Sequence, residues 1–197
     1  MDRGEFYRDA APRPDVLKHL EKQLMSGEFK GKRVLLSFTT DPYHSEEAVE
    51  LTSKAMELFM AHDVNWNVLT KNSRAGGHFP YYRNRDKFGM SLTFFEESDS
   101  LKHEPNASVP QDRFNTLMAA DSWGIETWAS LEPVIDPEQT LKIIEATHFF
   151  VDFYKIGKIN YQKTSVDWVK FRGEAIELLE KHGKEYYIKK DLREILY

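Results

Sequence analysis

The feature that most limits the possible folds is a repeated change of rhythm along the chain. Short runs of consecutive apolar residues alternate with longer stretches whose apolar positions recur every three or four residues. Val34 to Phe38 is the first such run, and a strand without polar alternation is one buried on both faces. Glu46 to Ala61 then carries Val49, Leu51, Ala55, Leu58 and Phe59 at helical spacing. The pattern predicts further strands at Trp66 to Leu69, Phe88 to Phe94, Thr127 to Leu131 and Val151 to Ile156. It predicts helices at Gln111 to Trp123, Pro137 to Thr147 and Val166 to His182. An amphipathic helix from Asp15 to Met25 precedes the series. A short strand, Tyr186 to Lys190, closes it after Gly183, a residue suited to a left-handed helix cap. The polar segments 70–87 and 96–110 read as loops, the first with room for one helical turn.

Alternation of this kind builds right-handed βαβ units and a parallel sheet, here as one α/β domain over residues 1–197. Two closures remain open: a (β/α) barrel, whole or partial, or a doubly wound open sheet. No GxGxxG follows the first strand, which counts against a dinucleotide-binding version. The polar residues favour the barrel. Thr40-Asp41, Thr70-Lys71, Ser91 and Thr93, Glu132, Lys155 and Lys158 all fall at or just past strand ends, where barrel enzymes gather their chemistry.

Composition removes several function classes. With no cysteine, the chain can form neither a disulfide nor a thiolate metal site. None of the seven histidines has HExxH spacing, so no metal-ligating residues are assigned. A net charge of -5 argues against a broadly basic nucleic-acid surface. No apolar run approaches the ~20 residues of a membrane span, and the first residues lack an apolar signal core. The expectation is a cytoplasmic protein that does not cross a membrane.

Each candidate site has a plain structural reading beside the functional one. Asp41-Pro42 suits a helix start, with the aspartate as cap and the proline in the first turn. The functional reading has the Thr39-Thr40-Asp41 group receiving a ligand amine. Lys71 either faces a ligand anion or stands in water. Glu132, between Leu131 and Pro133, needs a partner, and Lys155 on the next strand is the natural one. Lys155 could alternatively serve as a Schiff-base amine. The EPNA segment at 104–107 reads as a turn before a helix. Trp66, Trp128, Phe153 and Tyr154 read as core, and the basic tail YYIKKDLR is a weak case for phosphate binding.

Taken together, SFTTDPY, LTKNS, MSLTF, the EPNA loop, TWASLEPVID, DFYKIGKIN and YYIKKDL, in this order, resemble a known family. It is the spore-photoproduct-lyase-like group of radical S-adenosylmethionine (SAM) proteins, and the likeness runs from about residue 12 to the end. The resemblance implies a partial (β/α) TIM-like barrel. In that family a CxxxCxxC loop after the first strand holds a 4Fe–4S cluster that binds SAM and cleaves it reductively. By position, Thr39, Thr40 and Asp41 would contact the SAM amino group, Lys71 its carboxylate, and Ser91 or Thr93 the ribose region. Glu132, Lys155 and Lys158 would line the same mouth.

The chain departs from the family in having no cysteine loop, so the expectation is a truncated member lacking the first strand and unable to ligate the cluster alone. Two function classes follow. One is a fragment or subunit of a radical enzyme, completed by a cysteine-bearing segment and acting on a substrate such as a nucleic-acid lesion. The other is a cluster-free module that binds SAM or a nucleoside, or serves as an interaction domain. In either case the strand at 34–38 would present an unpaired edge, inviting the missing segment or self-association. A stable monomer at high concentration would count against that edge pairing.

Overall fold

The computed structural model describes residues 13–36, 40–160 and 164–195. Six strands form one sheet: β1 (Arg33–Leu36), β2 (Asn65–Thr70), β3 (Lys87–Ser91), β4 (Glu126–Val134), β5 (Phe153–Lys158) and β6 (Glu185–Ile188). They lie in chain order, and every neighbouring pair is parallel. This order counts against the doubly wound sheet, one of the two closures left open by the sequence. A doubly wound sheet contains a point where strand order reverses, and none occurs among the described strands.

Between the strands run α1 (Val16–Met25), α2 (Glu46–Ala61), a 3₁₀ segment (Ser73–Tyr81), α3 (Glu97–His103), α4 (Pro110–Ser122), α5 (Pro137–Thr147), α6 (Trp168–Lys181) and α7 (Lys190–Arg193). Helices near each other in the chain also touch in space: α1 on α2, α2 on the 3₁₀ segment, that segment on α4 beyond the short α3, and α5 on α6. One layer of helices on one face is what right-handed crossovers in a single direction produce. Beneath that layer the strands bury Trp66, Val68, Phe88, Met90, Ala129, Leu131, Tyr154 and Ile156. Helix residues Met56, Phe59, Leu117, Ile143, Phe171 and Leu179 close over them. Each large apolar side chain so enclosed contributes about 1.5–3 kcal/mol relative to an exposed one.

Alternate strand residues point to the other face, and they are more polar. Asn67, Lys87, Ser91, Ser130, Lys155 and Glu132 share it with Trp128 and Phe153. The aromatic residues expected in one core therefore divide. Trp66 and Tyr154 lie under the helices, whereas Trp128 and Phe153 occupy the opposite face, away from the described helices.

Local chemistry explains most boundaries, with some revisions. The cap of α2 is Ser45, whose hydroxyl accepts from the Ala48 amide at 3.2 Å, and not Asp41. Pro42 lies outside the helix. Glu46 and Glu47 then sit where the helix dipole favours negative charge. Asp136 caps α5 and Asp167 caps α6 through their carboxylates. Gly183 takes the left-handed conformation expected of it, with φ 63°. Strand β3 stops at Ser91 rather than Phe94, β4 continues to Val134, β5 begins at Phe153 and β6 ends at Ile188. The segments read as loops contain the 3₁₀ segment and α3.

Candidate functional site

The C-terminal ends of the parallel strands bring most of the selected residues to one end of the sheet. Asp41 sits in the connection between β1 and α2, and its carboxylate is fully engaged within the chain. Oδ1 accepts from the Tyr43 amide at 2.9 Å and from the Thr70 hydroxyl at 2.7 Å. Oδ2 accepts from the Lys71 amide at 2.7 Å. Asp41 thus ties the β1 loop to the end of β2. Thr40 is half-buried beside it, and Thr39 lies outside the described residues.

Lys71 does not stand free in water. Its ammonium is 2.5 Å from Glu104 Oε1, and the Thr93 hydroxyl donates to the same oxygen at 3.1 Å. Glu104 Oε2 lies 2.9 Å from the guanidinium of Arg113, an ion pair with a side chain only 1% exposed. Arg113 donates in addition to the carbonyls of Ser108, at 2.6 Å, and Ser91, at 2.9 Å. Burial acts against the charge on Glu104, but Lys71 and Arg113 outweigh it and hold its carboxyl below the usual value. The EPNA segment is a turn, closed by Ala107 N–H donating to Glu104 O at 3.0 Å. It is also the source of this central carboxylate, which the sequence reading passed over. The available signal was a glutamate directly before a proline, followed nine residues on by an arginine at an otherwise apolar helix position.

A second cluster lies across β4, β5 and the residue after β6. Glu132 pairs with Lys155 as expected, at 3.8 Å, but its closer partner is Lys189. In sequence Lys189 reads only as part of a basic tail. Of its neighbours there, Lys190 and Arg193 both pair with Glu194. Gly157 stands between Glu132 and Lys189, and a Cβ there would come within 3.2 Å of the Glu132 carboxyl carbon and 2.8 Å of the lysine chain. Lys155 is 36% exposed and faces a carboxylate, without the apolar enclosure an amine nucleophile needs. Lys158 is not brought into this group. It alternates to the side of Tyr154 and Ile156 and, among the described residues, reaches Asn160 at 3.4 Å.

Among the described residues, no group of three or more metal-ligating side chains converges. None of their helices is long and apolar enough to cross a membrane.

A singly wound parallel α/β sheet with polar clusters at its C-terminal end is therefore the class of protein defined by the chain. No family model matches the sequence, and no curated protein matches it. Its fold is shared with a mutant spore photoproduct lyase bound to AdoMet and dinucleoside spore photoproduct, at TM-score 0.66 and 13% identity. The alignment covers 88% of this chain and 65% of the lyase chain. It is shared as well with Streptococcus suis SuiB bound to S-adenosylmethionine, at TM-score 0.65 and 7% identity, over 90% of this chain and 44% of SuiB. The chain thus spans less than two thirds of the proteins it matches. The resemblance to the spore-photoproduct-lyase-like radical SAM group holds at the level of the fold.

Proposed function

We propose that this chain is a partial (β/α) barrel of the radical SAM type, acting in the cytoplasm, with SAM bound at the C-terminal mouth of its sheet. The observation that carries the reading is the meeting of the Asp41–Thr70–Lys71–Glu104 network and the Glu132–Lys155–Lys189 cluster at one end of the sheet. The shared fold with two SAM-bound proteins supports it. Lys71, 38% exposed, would face the SAM carboxylate. Thr40 would lie near the amino group, Asp41 holding that loop in place. Ser91 and Thr93 would lie beside the ribose, with Glu132 and Lys155 at the rim. Bound SAM supplies an electrophilic sulfonium.

The residues present do not fit an iron–sulfur cluster. Three thiolates are needed, and the chain has none. A complete radical enzyme would need a cysteine-bearing segment from outside this chain. Among the described strands β1 pairs with β2 alone, and its other edge is the place where that segment's strand would add. A nucleic-acid lesion is then one substrate class. The absence of cysteine favours a second reading, in which the chain binds SAM or a nucleoside without a cluster.

Calorimetric titration of SAM into the chain tests both readings. We expect micromolar binding that is lost in Lys71→Ala and retained in Lys158→Ala, whose side chain lies on the other side of the sheet. Absence of binding in the folded wild-type chain, or binding indifferent to Lys71, would overturn the assignment.

A further inference from the structure

The layer of helices has a gap on its outer side. Other helices of the layer pack on their neighbours, but α4 and α5 do not close on each other in the same way. Between them runs a groove of about 200 Å³, with Phe95, Phe114, Met118, Ala146 and Phe150 as its apolar walls. Gln111 and Asn115 complete the lining and are joined by an amide hydrogen bond of 3.0 Å, so none of the lining is charged. A cavity of about 150 Å³ with apolar walls takes up benzene. The groove therefore has room for one phenyl ring.

Such a ring stands at its edge. Phe149 follows α5, three residues after Ala146 and directly before Phe150, and it is 81% exposed. The side chain is braced. His148 packs against it with ring centroids 3.8 Å apart, His182 stacks on His148 at 3.7 Å, and His182 Nε2 lies 2.9 Å from Glu145 Oε2. The Phe150 carbonyl accepts from the Thr127 hydroxyl at 2.7 Å, which ties this end of α5 to β4. An exposed ring already fixed in its pose loses little rotamer freedom when it is covered.

The surroundings extend the apolar surface and keep it free of net charge. Met118 is half-exposed on the α4 wall, and Trp123, 60% exposed, projects from the far flank of the same helix five residues on. Phe149 and Trp123 alone expose roughly 300 Å², over a third of the ~800 Å² that each partner of a standard interface buries. The charges of α5 beside the groove are already paired: Lys142 with Glu96 at 3.3 Å, and Glu145 with His182 and Lys181. The whole chain carries a net charge of -5, which opposes contact between copies at surfaces where that charge is displayed. This surface does not add to that opposition.

We propose that the α4–α5 surface joins two copies of this chain in an isologous dimer, each copy's Phe149 entering the groove of the other. A two-fold axis running midway between ring and groove exchanges the two, so a single complementary contact is made twice. The surface lies on the outside of the helix layer, away from the polar mouth of the sheet. The proposal stands whether or not SAM binds there, and it is separate from any pairing at the edge of β1.

Sedimentation equilibrium of the chain, from low micromolar to near-millimolar concentration, tests it. We expect a reversible monomer–dimer equilibrium. Phe149→Ser removes the ring and Ala146→Glu puts a charge in the groove, and each should weaken the dimer at least tenfold, with melting temperatures confirming that both variants are folded. If Ala146→Glu lowers the melting temperature, Met118→Lys blocks the same groove from its α4 wall. Mixed in equal amounts, the ring-less and groove-blocked variants should form a heterodimer severalfold tighter than either homodimer, because the ring of one meets the intact groove of the other. A wild-type chain that stays monomeric at every concentration would overturn the proposal and leave the groove to a different protein. Dimers indifferent to both variants, or a mixture no tighter than its components, would overturn it in favour of another surface, such as the β1 edge.

Discussion

Replacing Glu104 by glutamine removes one charge and almost no volume from the network joining β2, β3 and α4. Two cations lose their counter-charge, and they lose it unequally. Lys71 is 38% exposed and can turn toward water, so its share is that of a surface pair, under about 1 kcal/mol. Arg113 is 1% exposed and has nowhere to go. Removing one partner of a buried pair costs about 3–5 kcal/mol. That figure must be reduced here, because Arg113 keeps the carbonyls of Ser108 and Ser91 as acceptors. The expected loss is about 3 kcal/mol, and with a urea m-value of about 2–3 kcal/mol per molar the midpoint should fall by roughly 1 M.

Acid offers a second readout of the same group. The folded-state carboxyl of Glu104 titrates below its ordinary value. Its contribution to stability is therefore full above that ordinary value and disappears as pH falls through the depressed one. Urea midpoints measured from neutral pH down through the carboxylate range should show this slope in the wild type and a shallower one in Glu104→Gln. A midpoint shift smaller than about 0.3 M at neutral pH would refute the argument, since a desolvated guanidinium without its carboxylate should cost far more.

Two further outcomes follow from single groups. Gly89→Ala places a methyl group against the Trp128 ring, which must move and give up its bond to Asn67. Overpacking of this kind costs about 1–3 kcal/mol, and for a chain of this size the melting temperature should drop by roughly 3–10 °C. An unchanged melting temperature and unchanged tryptophan emission would show that the ring does not lie over β3. His78 is buried, which lowers its pKa from 6.5, so the unfolded chain takes up its proton first as pH falls. Stability from this group is full above 6.5 and is lost as pH drops toward the depressed folded value. Chemical denaturation between neutral and mildly acidic pH should show a shallower decline in His78→Phe, and an identical decline would exclude His78 as a source.

The sheet was legible in the sequence because every strand except the last is announced by a compact apolar run between helical stretches. Trp66 to Leu69 and Thr127 to Leu131 needed no tertiary information. The extent of the 3₁₀ segment, where the sequence allowed only one turn, and the whole of α3 escaped for the opposite reason: both are short, and their residues are mostly polar or glycine. Of the site, the ends of β2 and β3 were visible, as was the Glu132–Lys155 pair. Glu104 and Lys189 were not, because their pairings with Lys71 and Glu132 cross large gaps in sequence, although Arg113 lies only nine residues from Glu104. Lys158 was misplaced by a single step of strand alternation: residues 155 and 158 differ by an odd number, so they cannot share a face. Asp41 was read as a cap because Asp-Pro has that local preference, whereas three donors, two of them from Thr70 and Lys71, claim its carboxylate.

The strict chain order of the strands bears on how the molecule comes into being. Each strand finds its neighbour among the residues synthesised just before it, so no edge has to wait for a distant segment before it can be covered. A chain leaving the ribosome could lay down β2 on β1, then β3 on β2, closing each crossover over a separation of roughly 20–40 residues. Apart from the outer edge of β1, the edge exposed at each stage of that growth is the newest strand, and up to β6 the next turn of synthesis supplies its cover.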